Sequence, residues 1–581
     1  MNTAEYIIKK LEELGINDYF GVPGDYNFNI INAIENNSQS KWIGCTNELN
    51  AGYAADGYAR INGYGAIVTT YGVGELSAVN AIAGSYAENI PVVHLVGIPS
   101  TEQISNNALL HHNFQTPNYR AFENTYKNVT AATAYLTREN AKMEIDRVLK
   151  TLVKEKLPVY IAIPSDIANL DISDRYVSYE WAGDKEVLCN VADKIAEKIK
   201  ESKAPLIIGD VLVKRFDSGL EYKELISKTK IPHTNLLMGM NLSSMDNPMF
   251  LGGYFSDFRN PIAKKYVDET DCIIGIGIIN SDINAFGFNL PDIKNSVAIY
   301  GNYTYVDGKR YDNVKMSDLL NMLTEIVEPK EIEIDKPNIG YKSKASENAP
   351  LTADYLYPRL QEFFRENDII IAESGTVPLG IAQLSLPESA RAEFQLLWGS
   401  IGWATPAALG AALAKPQARV VLITGEGAHH MSIMEIGNIL RQEIKPIIIV
   451  LNNEGYTIER LLSGNPNAKF NDIVKINYSK IARAFDGDIW STKVNTTDDF
   501  DKALKVTHIM NKTCYIEAIL DKANAPSLLE DMISSNYAKL TNENKNIMPD
   551  SKTSTQTIIE EQESSGSIIY ETVVHRGITE E

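Results

Sequence analysis

Val420-Val421-Leu422-Ile423-Thr424-Gly425-Glu426-Gly427-Ala428, followed by Ile447-Ile448-Ile449-Val450-Leu451-Asn452-Asn453-Glu454-Gly455-Tyr456, decides how this chain folds. Each apolar run is short and rich in β-branched residues, so each reads as a buried strand of a parallel sheet. Between them Met434, Ile436, Ile439 and Leu440 recur at roughly helical spacing. The unit is therefore strand, Gly-rich turn, helix, strand. Both polar motifs fall at the carboxyl ends of strands, where open α/β sheets bind ligands. Glu426 and Asn453 supply hard oxygen ligands for a divalent cation. The N–H groups of Gly427 and Ala428, at the start of the helix, suit a phosphate. The spacing predicts a Mg²⁺-diphosphate site.

Outward from this unit the same alternation recurs. Residues 1–180 open with a helix carrying Ile7, Leu11 and Leu14. Strands then follow around Tyr19-Phe20, Ala66–Thr69, Val92–Val96 and Pro158–Pro164. Residues 181–345 repeat the pattern at Pro205–Gly209, Cys272–Gly277 and Val297–Tyr300. A polar stretch from Glu328 to Pro350 reads as a linker. Residues 346–540 hold the opening motif. The expectation is three doubly wound α/β domains with parallel sheets throughout. No repeat is visible at the residue level. Residues 541–581 are polar and acidic and read as a flexible tail.

At 581 residues the chain should hold several domains. Its net charge of −20 disfavours nonspecific binding to nucleic acid or an anionic membrane. Cys45, Cys189, Cys272 and Cys514 are far apart and lack metal-ligand spacing, so they read as reduced residues in or near cores. No basic leader and no apolar run of membrane-spanning length is seen, which makes the cytoplasm the expectation.

The pair Gly425-Glu426-Gly427 and Asn452-Asn453 resembles the diphosphate motif of thiamine diphosphate enzymes, Gly-Asp-Gly, a gap, then Asn-Asn. Leu451–Glu459 narrows this: it resembles the pyruvate, indolepyruvate and branched-chain 2-oxo acid decarboxylases. The resemblance covers roughly residues 1–540 and departs at position 426, which is Glu where the family has Asp. It implies a thiamine diphosphate-binding fold. The first domain would bind the aminopyrimidine, the second would be a central Rossmann-like domain, and the third would bind the diphosphate. It also implies thiamine diphosphate and Mg²⁺ as cofactors. A homodimer would be the minimal active unit, with pairing into a homotetramer. The implied reaction is decarboxylation of a 2-oxo acid to an aldehyde and CO₂.

Roles for particular residues follow from the resemblance. Glu48, in Cys45–Arg60, would alone be a capping carboxylate; the resemblance makes it the partner of the aminopyrimidine ring. Asp25, after Gly21-Val22-Pro23-Gly24, would alone be a turn residue, and His111-His112 would alone be solvated. The resemblance makes all three a proton relay, although Asn113-Phe114-Gln115 replaces the family's Thr-Leu-Gly. In Trp398–Gly402, Ile401 would be a stiff apolar wedge under the cofactor, and the Gly399 carbonyl would receive the exocyclic amine. Thr376 would touch the same ring, and Ile458 completes the cofactor set. Glu426, Asn453 and the Gly455 carbonyl would hold the metal. Because Glu exceeds Asp by one C–C bond, about 1.5 Å, either the backbone withdraws, the metal shifts, or a water intervenes. Glu459 would face the substrate carboxylate. Val377-Pro378-Leu379, where some pyruvate-specific relatives are aromatic, suggests a roomier pocket for branched or aryl substrates. Two rivals stand: a carboligase of the acetolactate synthase type with FAD in the middle block, and a non-catalytic scaffold with an impaired metal site.

Overall fold

The computed structural model describes residues 1–534, apart from 174–176, 257, 288–289 and 338–347. The expected tail and the middle of the expected linker lie outside the described residues. Three sheets carry the architecture. The first runs, in spatial order, Lys41–Gly44, Asp18–Gly21, Gly65–Thr70, Val92–Ile98, Val159–Pro164, Ala132–Tyr135, all parallel. The third runs Arg391–Phe394, Ile369–Ala372, Val420–Gly425, Ile447–Asn452, Thr513–Ile519, Ile489–Val494, also all parallel. The two have the same topology: the first strand in sequence pairs with the second and the third. Their likeness lies in strand order, which is why reading residue by residue shows no repeat.

The middle sheet departs from the expected all-parallel pattern. Tyr303–Val306 and Lys309–Asp312 form an antiparallel hairpin at its edge. Asp307 and Gly308 make the two-residue turn, both at positive φ, 50° and 75°. Asp-Gly between two short strand-like runs is the sequence signal for such a hairpin. At the carboxyl ends of this sheet's central strands Pro205–Gly209 and Cys272–Ile276 the pairing runs on past the strand ends. The Asp210 amide donates to the Ile276 carbonyl at 2.9 Å and the Leu212 amide to the Gly277 carbonyl at 3.1 Å.

The strands are buried on both faces because helices cover both, as parallel sheets require. The helix Glu48–Asn62 is buried along nearly its whole length between the first sheet and the helix Ala404–Ala414 of the third domain. Small residues make this possible. A Cβ on Gly57 would lie 2.5 Å from Ala407 Cα, and one on Gly410 would overlap the Ala54 carbonyl. Ala55 and Ala59 face the strand at Gly65 instead. The helix is thus narrow on two faces.

The three domains meet at a buried ionic cluster. Arg60 donates to Asp56 at 2.7 Å, to Glu88 at 2.8 Å and to the Phe394 carbonyl at 2.6 Å. Arg215 of the middle domain donates to Glu393 of the third at 2.9 Å. Although burial opposes ionisation, Arg215, Arg391, Lys214 and Arg60 hold the Glu393 carboxyl well below the usual range. Cys45, Cys189, Cys272 and Cys514 are free thiols. Among the described residues no helix is long and apolar enough to cross a membrane. Gly410→Ala is expected to cost about 1–3 kcal/mol through overpacking, read as an earlier midpoint in denaturant unfolding.

Candidate active site

Two groups of functional residues form, each at the point where its sheet changes direction. Ligands bind there because the loops after two neighbouring strands part to opposite faces. In the third domain the loops after Ile369–Ala372 and Val420–Gly425 open a cleft of about 360 Å³. Its walls include Ser374, Gly375, Thr376 and Ile401 on one side. Gly425–Ala428, Asn453 and Gly455–Glu459 complete them. Thr376, Ile401, Glu426, Gly427, Ala428, Asn453, Gly455, Ile458 and Glu459 are thus brought together, as the motifs suggested. Ser374, Gly375, Tyr456 and Thr457 join them; the last two were legible in Leu451–Glu459, as neighbours of residues already singled out.

Gly399 is not on the wall. It stands at φ 66° in a segment tied to the first domain. Ser400 Oγ lies 2.5 Å from Tyr53 Oη, and the Trp398 indole donates to Asn80 at 2.9 Å. Val377 and Leu379 are also absent from the wall. They are 2% and 4% exposed in the helix Thr376–Ile381 and pack into the domain core. They are not on the wall of the cleft as one chain forms it. A helix starting at Thr376 turns the two side chains inward, an orientation composition cannot report.

The cation-ligand candidates sit together. Glu426 begins the helix Glu426–Ser432 and is 2% exposed. Its Oε1 accepts the Gly455 amide at 2.6 Å. The longer side chain therefore spans to the opposite loop. Burial pushes its carboxyl up to about 7, against backbone bonds from Gly455 and Asn453. Asn453 Oδ1 is buried and has no hydrogen-bond partner in the protein. A buried acceptor left unpaired costs about 1–3 kcal/mol, so this atom fits a ligand in the cleft. Gly427 cannot carry a side chain, because a Cβ would lie 2.6 Å from the Tyr456 ring. Carboxylate, amide oxygen and a bare backbone turn together fit a hydrated divalent cation with a diphosphate. Sequence reading missed Arg460, which lies 1% exposed beneath this loop. It donates to the carbonyls of Asn453 at 3.1 Å and Glu454 at 2.6 Å, and to Asp472 at 2.7 Å.

The second group lies in the first domain. Glu48 is the first residue of its helix, capped by Asn47, whose side chain accepts the Asn50 amide. A Cβ on Gly74 would lie 3.3 Å from Glu48 Oε1. Asp25 follows the strand Asp18–Gly21, and its Oδ2 stands 3.0 Å from His111 Nε2. The rings of His111 and His112 are 4.5 Å apart. Gly72, at φ 63°, leaves no room for a side chain against the His112 carbonyl, and the Tyr71 hydroxyl donates to the His111 carbonyl. Behind them Glu75 accepts the Gly72 amide at 2.8 Å and the Tyr160 hydroxyl at 2.7 Å. None of Glu48, Asp25, His111 and His112 lines the third-domain cleft of the same chain.

Family models match all three domains. The N-terminal thiamine pyrophosphate-binding domain matches residues 1–121, the central domain 192–316, and the C-terminal thiamine pyrophosphate-binding domain 374–518. The chain belongs to the thiamine diphosphate-dependent 2-oxo acid decarboxylases and is a carboxy-lyase that uses thiamine diphosphate. Pyruvate decarboxylase of Candida glabrata is 35% identical over 558 residues, spanning 93% of this chain and 98% of that one. An alpha-keto-acid decarboxylase of Mycolicibacterium paratuberculosis is 33% identical over 540 residues, 91% and 96% of the two chains. In structure, a thiamine diphosphate-dependent 4-hydroxybenzoylformate decarboxylase of Rhodococcus jostii superposes with a TM-score of 0.74 at 19% identity, covering 90% of this chain and all of the other. That last likeness establishes the fold.

Burial raises the Glu75 carboxyl from 4.5 to about 7, opposed by its bonds to Gly72 and Tyr160. The folded chain then keeps a proton that the unfolded chain releases above its ordinary pKa. This group's stabilisation is whole below that value and is lost as pH rises towards the folded one. Between about pH 5 and about pH 7, Glu75→Gln should lose less unfolding free energy than the native chain, by on the order of 2–3 kcal/mol.

Proposed function

We propose that the protein decarboxylates a 2-oxo acid non-oxidatively to an aldehyde and CO₂, at a site built from the first domain of one chain and the third domain of another. The observation that carries the reading is the division of the site: an ion- and diphosphate-binding cleft in one domain, a carboxylate and a relay cluster in the other, and no shared wall within a chain. Large apolar side chains support a covering partner. Val73, Trp398, Met431 and Met434 are 56%, 44%, 56% and 57% exposed, apolar surface that a second chain would cover.

When bound, the thiamine diphosphate supplies the electron sink that lets the carboxylate carbon leave as CO₂. Everything else falls to the chain. Gly427 and Ala428 would hold the diphosphate, and Glu426, Asn453 and Gly455 would hold Mg²⁺. Ile401 would pack against the cofactor as a stiff apolar wedge. Glu48 would place its carboxyl against the aminopyrimidine ring and so bias its tautomer. Thr376 and Ile458 keep the substrate side of the cleft narrow and dry, which favours loss of a charged carboxylate. Asp25, His111, His112 and Glu459 deliver the proton that completes the aldehyde. The Asp25–His111 pair, with Oδ2 and Nε2 3.0 Å apart, suits that task.

Pyruvate is the favoured substrate, on the relatives' names and on the withdrawal of Val377 and Leu379 from the cleft; branched and aryl 2-oxo acids follow it. A carboligase with FAD in the middle domain is less well supported, because the relatives this chain resembles are named as decarboxylases. A scaffold role is opposed by the buried, unpartnered Asn453 Oδ1.

Glu48→Gln and Glu459→Gln should each lower kcat by roughly 10²–10⁴-fold. Unfolding and refolding the two variants together should restore about a quarter of native activity, since half the dimers are mixed and each mixed dimer carries one intact site. No recovery would place the site within a single chain. Glu426→Asp should tighten Mg²⁺ and reduce the tolerance for Mn²⁺ and Ca²⁺ in calorimetric titration with the cofactor present. Identical metal preference in the two proteins would show that the longer side chain is accommodated without cost.

A further inference from the structure

Three metal-ligating side chains converge outside the cofactor cleft. Asp25 Oδ2 is 3.0 Å from His111 Nε2, and one ligand atom each from Asp25, His111 and His112 lies within 4.8 Å of the other two. Adjacent residues on extended backbone point to opposite sides, which is why two neighbouring histidines seldom share a ligand. Here the backbone is not extended. His112 stands at φ 68°, a left-handed conformation that costs a side-chain-bearing residue energy. That turn brings both imidazoles to one side. The surroundings hold it: Gly72 fits under the His112 carbonyl, the Tyr71 hydroxyl holds the His111 carbonyl, and the Tyr26 ring lies 5.2 Å and 6.5 Å from the two imidazoles. The Asp25 and His111 side chains are 48% and 57% exposed, so rotation can close the remaining distance around an ion.

Two imidazoles and one carboxylate form the donor set of open zinc sites, three protein ligands with a fourth position free for water. Imidazole also selects against Mg²⁺ and Ca²⁺, which prefer all-oxygen shells. We propose that Asp25, His111 and His112 bind one Zn²⁺ or a similar borderline transition-metal ion, at a site separate from the cofactor's cation, and that occupancy inhibits the enzyme by removing the proton relay. The binding stands on the cluster itself. The inhibition rests on the relay role proposed above.

The test is calorimetric titration of ZnCl₂ into the full-length protein saturated with thiamine diphosphate and Mg²⁺. One Zn²⁺ per chain is expected, undisturbed by excess Mg²⁺. Its affinity should fall by at least about tenfold in His111→Gln and, separately, in Asp25→Asn. Zn²⁺ should lower kcat reversibly, with recovery on chelation and with the cofactor retained on gel filtration. Equal Zn²⁺ affinity in the native chain and both variants, or inhibition accompanied by cofactor release, overturns the proposal. His111→Gln with full activity but lost Zn²⁺ binding would instead sink the relay role and leave the metal site standing.

Discussion

The contact between the helices Glu48–Asn62 and Ala404–Ala414 governs the rest of the molecule. Gly57 and Gly410 let two backbones approach to a distance that no side chain would tolerate. Glu48 lies at one end of the first helix, and the other end carries Arg60 into the buried cluster with Asp56 and Glu88. One rigid rod therefore spans from the junction of the three domains to the proposed cofactor site. Interiors packed this closely have few alternative arrangements, and the two helices move as one body. The same contact docks the first domain against its own third domain, with Glu48 and the Asp25–His111–His112 cluster off the wall of that domain's cleft.

The ionic cluster acts at the same junction by a different rule. Buried charges are costly unless each finds partners, and removing one partner strands the rest. Arg60, Arg215 and Glu393 come from three domains, and both guanidinium groups reach the one carboxylate. The cluster thus specifies how the domains meet. Its contribution to net stability is smaller than its contribution to geometry, because desolvation offsets most of the attraction.

Around the cleft Glu426 reaches across to the opposite loop, where its carboxylate accepts the Gly455 amide and Arg460 braces that loop from behind. A buried guanidinium that bonds several carbonyls fixes the loop's shape through a planar fork of donors, which a lysine could not match.

The strand-turn-helix-strand unit at Val420–Tyr456, the three α/β blocks and nearly all the cleft residues were legible in the sequence. They depend on local patterns: β-branched runs, glycines at turns, and polar residues at strand ends. Three things were not legible. The hairpin at Asp307-Gly308 escaped because its short strands lie within a long parallel pattern. Val377 and Leu379 looked like pocket residues, but the direction in which a helix turns its side chains depends on what the helix packs against. The shared topology of the first and third sheets is written in strand order, which is a property of long-range pairing. By itself, then, the sequence determined the elements and the chemistry they carry, because those follow from neighbours along the chain. Only the tertiary structure decided that Glu48 and the Asp25–His111–His112 cluster stay off the wall of their own chain's cleft, because that depends on how the domains pack, through glycine-to-backbone contact between helices some 350 residues apart.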